Sequence, residues 1–215
     1  MKKLFILLCL CLVVGSARAK VTLPTIFTDN MVLQQKTQVT LYGKAAAGKK
    51  MTVTTGWDHE QYRFHSDAEG NWSVRIPTPE AGGPFDITIS DGKKITLRNI
   101  LIGEVWFCSG QSNMEMPVAG WGKVLNYEQE VAAADYPCIR LFQVKKATSL
   151  APAADVASTM GGWQECSPAS VPEFSALGYF FARRLWQELG IPVGVIDCTW
   201  GGTPAEAWTS YNTLK

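Results

Sequence analysis

The hydrophobic pattern of this chain changes its period near residue 100, and that change restricts the folds it can adopt. Before this point, apolar and polar residues alternate in short runs, as in Trp72–Ile76, which is typical of half-buried strands. Turn-forming stretches separate the runs, and Asp91-Gly92 favours a two-residue hairpin. Short strands with regular turns predict an antiparallel β-sandwich, which we assign to residues 20–100.

From residue 101 onward, strand-like and helix-like segments alternate. The apolar runs Val105–Cys108, Ile139–Val144 and Ile191–Cys198 predict buried strands. A helix is expected between the first two runs, over Tyr127–Ala134. This succession is typical of βαβ units, so residues 101–215 are expected to form a parallel sheet with helices on both faces.

The strongest helical pattern precedes the last of these strands. Ser170 is the expected N-cap, with Pro172 in the first turn and Glu173 three residues on. Gly190 is the expected end of this helix. Apolar residues at helical spacing are expected to form its buried face: Phe174, Leu177, Gly178, Phe181, Leu185 and Leu189.

The first 19 residues are typical of an export signal. Lys2 and Lys3 form a basic start, Leu4–Val14 is apolar, and Ala17-Arg18-Ala19 is a small-residue cleavage site. The apolar run is too short to span a bilayer. We therefore expect a mature chain that begins at Lys20, carries no membrane anchor and is exported to the periplasm or the cell exterior.

The charge balance is close to neutral, with 20 Lys and Arg against 19 Asp and Glu. No basic cluster could follow a phosphate backbone, which argues against nucleic acid as a partner. A nearly neutral surface suits an uncharged or weakly charged substrate.

Four cysteines remain after the predicted signal: Cys108, Cys138, Cys166 and Cys198. In an oxidising compartment they allow three complete pairings. Cys108 and Cys198 both end apolar runs, where a buried free thiol is the commoner state. No Cys-x-x-Cys motif occurs, which argues against a structural zinc site.

The first buried strand of the second region runs into a polar turn that carries Ser112. Gly110 lets the backbone turn sharply, and the amide side chains of Gln111 and Asn113 offer donors for a developing oxyanion. The motif is not Gly-x-Ser-x-Gly, because Met114 stands where the second glycine would be. By these residues alone Ser112 is either a nucleophile or an ordinary turn residue.

Two longer stretches carry a family resemblance. Gly103–Met114 reads Gly-Glu-Val-Trp-Phe-Cys-Ser-Gly-Gln-Ser-Asn-Met and resembles the nucleophile block of the sialate O-acetylesterase family, within the SGNH (GDSL-like) hydrolase superfamily. Val193–Trp208 is similar to the second block of that family. The resemblance implies that Ser112 is the nucleophile, and that the backbone amide of Gly201 or Gly202, with the choice left open, binds the oxyanion.

The same resemblance implies a carboxylic ester hydrolase that removes acetyl groups from sugar hydroxyls, typically those of O-acetylated sialic acid. The reaction would pass through an acyl-enzyme and need no metal or cofactor. Family members are longer, so residues 101–215 are expected to be the N-terminal, incomplete part of a three-layer α/β/α catalytic domain. The alternatives are an acetyl esterase acting on xylan or another polysaccharide, and a non-catalytic, exported sugar-binding protein.

Histidine is the usual general base near neutral pH, and the chain has two: His59 and His65. Both lie in the β-rich region, where surface strand or turn positions are expected. The family takes its base from a late Asp-x-x-His motif and has a Gln-Gly-Glu block, and neither occurs in this sequence. We therefore expect this chain alone to be a poor esterase.

Overall fold

The computed structural model describes residues 20–215, so the predicted export signal lies outside the described residues. The strands are β1 (Val32–Gln34), β2 (Gln38–Lys44), β3 (Lys50–Thr55), β4 (Gln61–His65), β5 (Asn71–Pro77), β6 (Gly82–Ser90), β7 (Lys94–Gly110), β8 (Tyr136–Gln143), β9 (Gln164–Cys166) and β10 (Val193–Thr199). The helices are α1 (Ser112–Glu115), α2 (Tyr127–Ala132), α3 (Ala176–Leu189) and α4 (Tyr211–Leu214), with a 3₁₀ turn at Ala205–Trp208. None of these helices is long and apolar enough to cross a membrane.

One large mixed sheet extends through the molecule in the order β4-β3-β6-β7-β10-β8-β9, with β1 also paired to β7. Strands β2 and β5 form a separate antiparallel pair. Strands β3, β4 and β6 are antiparallel to their neighbours, whereas β10 is parallel to both β7 and β8. The chain is therefore a mixed α/β protein that consists mostly of sheet.

Strand β7 joins the two parts of this sheet. Its first part pairs antiparallel with β6, as at Thr88 and Thr96. Its last part pairs parallel with β10, from Glu104 opposite Val193 onward. The expected domain boundary after residue 100 therefore falls inside a continuous strand, and the division into two domains stays a prediction.

The first buried cluster lies between the β2–β5 pair and the large sheet. Leu41 and Ile76 of the pair contact the same cluster as Val53 of β3 and Ile89 of β6. All four side chains are buried, and full burial of such a side chain contributes about 1.5 to 3 kcal/mol. The two sheets are held together by this apolar layer, and the assignment of residues 20–100 as a sandwich stays a prediction.

The second buried cluster packs α3 against the parallel strands. Ile139 of β8 and Val193 of β10 contact the same cluster as Tyr179 and Ala182 of α3. The opposite face of these strands contacts the first cluster, which contains Phe142. Among residues 20–215, α3 is thus the long helix on this sheet, and the three-layer α/β/α arrangement stays a prediction.

The structure corrects the predicted start and buried face of this helix. Helix α3 begins at Ala176, and its cap is Ser175, whose side chain accepts a hydrogen bond from the Gly178 amide. Ser170 instead donates its hydroxyl to the carbonyl of Glu165 in strand β9, so it does not cap the helix. The buried helical residues are Ala176, Gly178, Tyr179 and Ala182.

The predicted apolar stripe is wrong at two positions, since Leu177 is 49% and Leu189 is 52% exposed. The face that packs against the strands instead combines Tyr179, a large and fully buried side chain, with the small Ala182. The four cysteines of the described residues are all free thiols, so none of the three possible pairings is formed. Burial raises the pKa of the Cys166 thiol to about 12.

Candidate active site

The serine turn follows directly from the end of strand β7. Gly110 has φ +138°, a conformation that L side chains rarely adopt, so glycine is needed where the chain leaves the strand. Ser112 then opens the single-turn helix α1. The sequence-predicted nucleophile therefore lies at the carboxyl end of a sheet strand, half-buried at the protein surface.

The second predicted turn lies beside the first. Thr199 pairs with Gly110 at the end of the parallel ladder, and the Trp200 amide donates to the Gly110 carbonyl at 2.9 Å. A Cβ atom added to Gly201 would lie 3.3 Å from Ser112 Oγ. The structure thus brings together the serine and the glycine turn that the sequence placed in separate blocks.

The two candidate glycines differ in what their amides contact. The Gly201 N–H donates to Glu115 Oε2. The Gly202 N–H has no protein acceptor among the residues that the structure describes, and Gly202 is exposed with φ +77°. Of the two amides, that of Gly202 is therefore the one open to a ligand.

Sequence reasoning missed Glu115, although it lies just after the nucleophile block. Its second oxygen forms an ion pair with Lys146, which follows strand β8. The side chain of Glu115 is 16% exposed and that of Lys146 is 44% exposed. An acidic residue three positions after the serine, on the same helical turn, was the available signal.

The described residues place no imidazole beside the serine. Ser112 Oγ donates to Gln111 Oε1 at 2.9 Å. His65 ends strand β4 at the far edge of the large sheet, and β3 and β6 separate it from β7. With about 4.8 Å between neighbouring strands, β4 lies roughly 14 Å from β7. His59 lies in the turn that connects β3 to β4, so neither histidine reaches Ser112.

Ser175 anchors the serine turn to helix α3. Its hydroxyl donates to the Met114 carbonyl at 2.6 Å and accepts from the Gly178 amide at 3.0 Å. The next amide, that of Ala176, donates to the Met116 carbonyl at 2.8 Å. Helix α1 is too short to be stable alone, so these contacts fix its position.

A buried carboxylate lies at the end of β10, close to both turns. Asp197 is 1% exposed, and its oxygens accept hydrogen bonds from Thr199 Oγ1 at 2.7 Å and Gln143 Nε2 at 3.1 Å. Burial raises the pKa of Asp197 above its ordinary value, although these hydrogen bonds oppose the shift. Asp197 contributes in turn to the raised pKa values of Cys108 and Cys198, whose main cause is burial.

Three clefts surround the paired turns. The first, of about 770 Å³, is lined by residues 109–111 and 202–205 together with Trp208. The second, of about 420 Å³, includes Glu115 and Asp197. The third, of about 730 Å³, lies between residues 144–157 and the indoles of Trp200 and Trp208. The first cleft therefore lies against Gln111 and Gly202, next to the serine turn, and the third has aromatic side chains along it.

Comparison with known proteins identifies relatives of this chain. Sialate O-acetylesterase from Rattus norvegicus is 31% identical over 206 residues, which cover 88% of this chain and 38% of the relative. The Homo sapiens enzyme of the same name is 32% identical over 206 residues, covering 87% of this chain and 38% of the relative. This chain thus spans about 38% of the length of the curated relatives that it matches.

A crystal structure of a carbohydrate acetylesterase from Xanthomonas citri matches the fold with a TM-score of 0.82 at 36% identity, covering 91% of this chain and 44% of that chain. The family model described as carbohydrate esterase, sialic acid-specific acetylesterase, matches residues 102–214. That match includes both turns of the candidate site and more than half of the chain. The chain therefore belongs to the sialic acid-specific acetylesterase family of carbohydrate esterases.

Proposed function

We propose that this chain carries the nucleophile and one side of the oxyanion site of an esterase that removes O-acetyl groups from sugars, with acetylated sialic acid as the substrate class. The main support is the contact between the two turns, which sets the Gly201 backbone next to Ser112 Oγ at the edge of an open cleft. The family match and the names of the relatives support the same class of reaction.

In this proposal Ser112 Oγ attacks the acetyl carbonyl and its proton passes to a base. The oxygen that becomes negative accepts hydrogen bonds from the backbone amides of Ser112 and Gly202. Collapse of the tetrahedral intermediate breaks the ester C–O bond, and the base returns its proton to the sugar oxygen, which leaves as a hydroxyl. The acetyl-serine that remains is hydrolysed by water to acetate and free serine. Loss of one such oxyanion donor typically costs roughly 100- to 1000-fold in turnover.

We propose that residues 20–215 by themselves catalyse this reaction slowly, because no imidazole among them reaches Ser112. A serine hydroxyl is a weak nucleophile at neutral pH unless a base accepts its proton. Oxyanion binding and positioning alone leave about 10³- to 10⁴-fold acceleration over water when a member of a catalytic triad is missing.

The test is hydrolysis of p-nitrophenyl acetate by the purified chain, with mass spectrometry of the peptide that contains Ser112. We expect slow turnover and an acetyl adduct on Ser112, both lost in Ser112→Ala. The matched control is Ser73→Ala, which removes an exposed strand hydroxyl far from the site in sequence. Equal turnover in the wild type and Ser112→Ala, with no adduct, would refute the proposal.

The substrate class is tested by comparing acetate release from O-acetylated sialic acid and from acetylated xylan at equal acetyl concentration. Faster release from sialic acid supports the proposal, and faster release from xylan supports the polysaccharide alternative. Among residues 20–215 no imidazole lies beside Ser112, and this observation favours a third function, non-catalytic sugar binding. Saturable binding of a sugar without any Ser112 adduct would support that function.

We also propose that the protein is exported, on the basis of its signal-like first 19 residues. Expression of the full chain should give a mature N-terminus at Lys20 in the periplasmic or extracellular fraction. An intact Met1 in the cytoplasmic fraction would contradict this proposal.

A further inference from the structure

The carboxylate of Glu115 connects three segments that surround the serine. It belongs to the same helical turn as Ser112, accepts the N–H of Gly201 after strand β10, and pairs with Lys146 after strand β8. These segments are remote from each other in sequence. One side chain therefore links the nucleophile turn to the glycine turn.

We propose that Glu115 is a positioning residue, which holds the Gly201 peptide so that the next amide, that of Gly202, faces the cleft beside Ser112. This inference rests on the proposed function, because it assigns a role in oxyanion binding. Glu115 does not itself contact the substrate. It acts by fixing the orientation of the Gly201-Gly202 backbone.

The charge of Glu115 makes this hydrogen bond a strong one. A bond from an amide to an ionised carboxylate is about twice as strong as one between neutral partners. The mostly buried position of Glu115 reduces screening by water, and Lys146 balances its charge. Glycines at both positions leave the turn with little intrinsic preference for one conformation, so an external acceptor is needed to select one.

The hydrogen bond from the Gly201 N–H to Glu115 also distinguishes the two candidate oxyanion donors. An oxyanion at the Gly201 amide would have to displace a carboxylate and would lie close to its negative charge, which is unfavourable. The Gly202 amide carries no such competitor among the described residues. Glu115 therefore both orients the turn and excludes Gly201 from oxyanion binding.

The first test measures the amide resonances of Gly201 and Gly202 by ¹H–¹⁵N NMR on the purified chain. In Glu115→Ala the Gly201 amide proton should move upfield, because its carboxylate acceptor is gone, and the Gly202 amide should shift as the turn reorients. Glu115→Gln keeps an oxygen acceptor and should give intermediate shifts. The control is Glu188→Ala, an exposed acid on α3, which should leave both resonances unchanged.

The second test is the rate at which p-nitrophenyl acetate acetylates Ser112. Glu115→Ala should lower the maximal rate by about 10- to 100-fold, less than the loss of a donor itself, with the KM nearly unchanged. Glu115→Gln should restore part of this rate. Lys146→Met should have a smaller effect than Glu115→Ala, since the carboxylate remains.

Unchanged amide shifts in Glu115→Ala would overturn the inference, as would shifted amides with an unaltered acetylation rate. If wild-type Ser112 is not acetylated at all, the proposed function fails, whereas the shifts still decide whether Glu115 orients the turn. A general loss of folding in Glu115→Ala would shift resonances throughout the spectrum. The Glu115→Gln variant, which keeps the hydrogen bond, then supplies the comparison.

Discussion

The two parts of strand β7 pair with neighbouring strands of opposite direction. The first part lies against the antiparallel strand β6, and the last part lies against the parallel strand β10. Antiparallel neighbours end at opposite edges of a sheet, so their loops are divided between two edges. Parallel neighbours end at the same edge, where Gly110 meets Thr199 and the serine turn meets the glycine turn. The candidate site therefore lies at the end of the parallel part.

The antiparallel N-terminal region and the parallel region that follows also differ in the polar side chains that they bury. In the N-terminal region the buried polar side chains carry hydroxyl groups. Thr78, for example, donates to the backbone carbonyls of Gln34 and Thr37. The parallel region also buries an acidic and a basic side chain, Asp197 beside the site and Arg140 on β8. Buried charge is costly unless it is well paired, so its presence here indicates specific local roles.

The largest expected effect comes from Arg140, which joins the two regions. Its guanidinium donates to the carbonyls of Asn30 and Asn99 and pairs with Glu165. Arg140→Ala should lower the free energy of unfolding by about 3 to 5 kcal/mol, because it removes a buried side chain and the charged donor of several part-buried oxygens. Urea unfolding measures this, with the exposed Arg184→Ala as control. A change below about 1 kcal/mol would mean that the junction is not stabilised by Arg140.

Core truncations test whether the regions unfold together. Ile87→Ala in β6 and Ile139→Ala in β8 each remove a fully buried side chain and should each cost about 2 to 5 kcal/mol. Because β7 belongs to both parts of the sheet, each variant should shift one common transition, observed by near-UV and far-UV circular dichroism. Two separate transitions, each sensitive to one variant, would instead support independent domains.

The capping residue of α3 should have a smaller effect. Ser175→Ala removes the cap and the bond to the Met114 carbonyl, and should cost about 0.5 to 2 kcal/mol. Hydrogen exchange of the Gly178 amide should accelerate in this variant. Ser170→Ala, at the cap expected from the sequence, should leave that exchange unchanged. Faster exchange in Ser170→Ala and unchanged exchange in Ser175→Ala would instead support Ser170 as the cap of α3.

Asp197 should produce the smallest effect, a pH dependence of stability. Its pKa is raised in the folded state, so the folded chain binds this proton more readily than the unfolded chain does. Stability from this group therefore falls as pH rises from the unfolded pKa, about 3.9, through the folded pKa. Relative to Asp197→Asn, the wild type should gain stability on acidification across that window, measured by urea unfolding. A stability difference that is independent of pH would contradict this expectation.

The sequence predicted the strands that carry the site because their apolar runs end in glycine-containing turns. It placed a domain boundary near residue 100, where the hydrophobic pattern changes, and so did not predict that β7 continues across that point. In the structure Asn99 has φ +58° and its side chain accepts from Arg140, so the strand continues past it. Contacts of this kind depend on residues far apart in sequence and leave no local pattern.

Glu115 and the buried face of α3 were missed for related reasons. The hydrophobic pattern of the sequence does not show that Glu115 accepts a hydrogen bond from the Gly201 amide, since that contact depends on the β7–β10 register. For α3, several apolar faces were available. The buried face is the one with Tyr179 and Ala182, and its selection depends on contacts with strands that are remote in sequence.

The long strand β7 also affects how the protein is made. During synthesis, its antiparallel part can pair with β6 as soon as it leaves the ribosome, because β6 immediately precedes it. Its parallel part must wait for Val193–Thr199 of β10. At roughly 5 to 20 residues per second, the edge that carries the exposed side chains of Trp106 and Phe107 stays unpaired for several seconds. A nascent chain of this protein therefore exposes an unpaired, partly apolar strand edge that chaperones can bind before the serine turn and the glycine turn can meet.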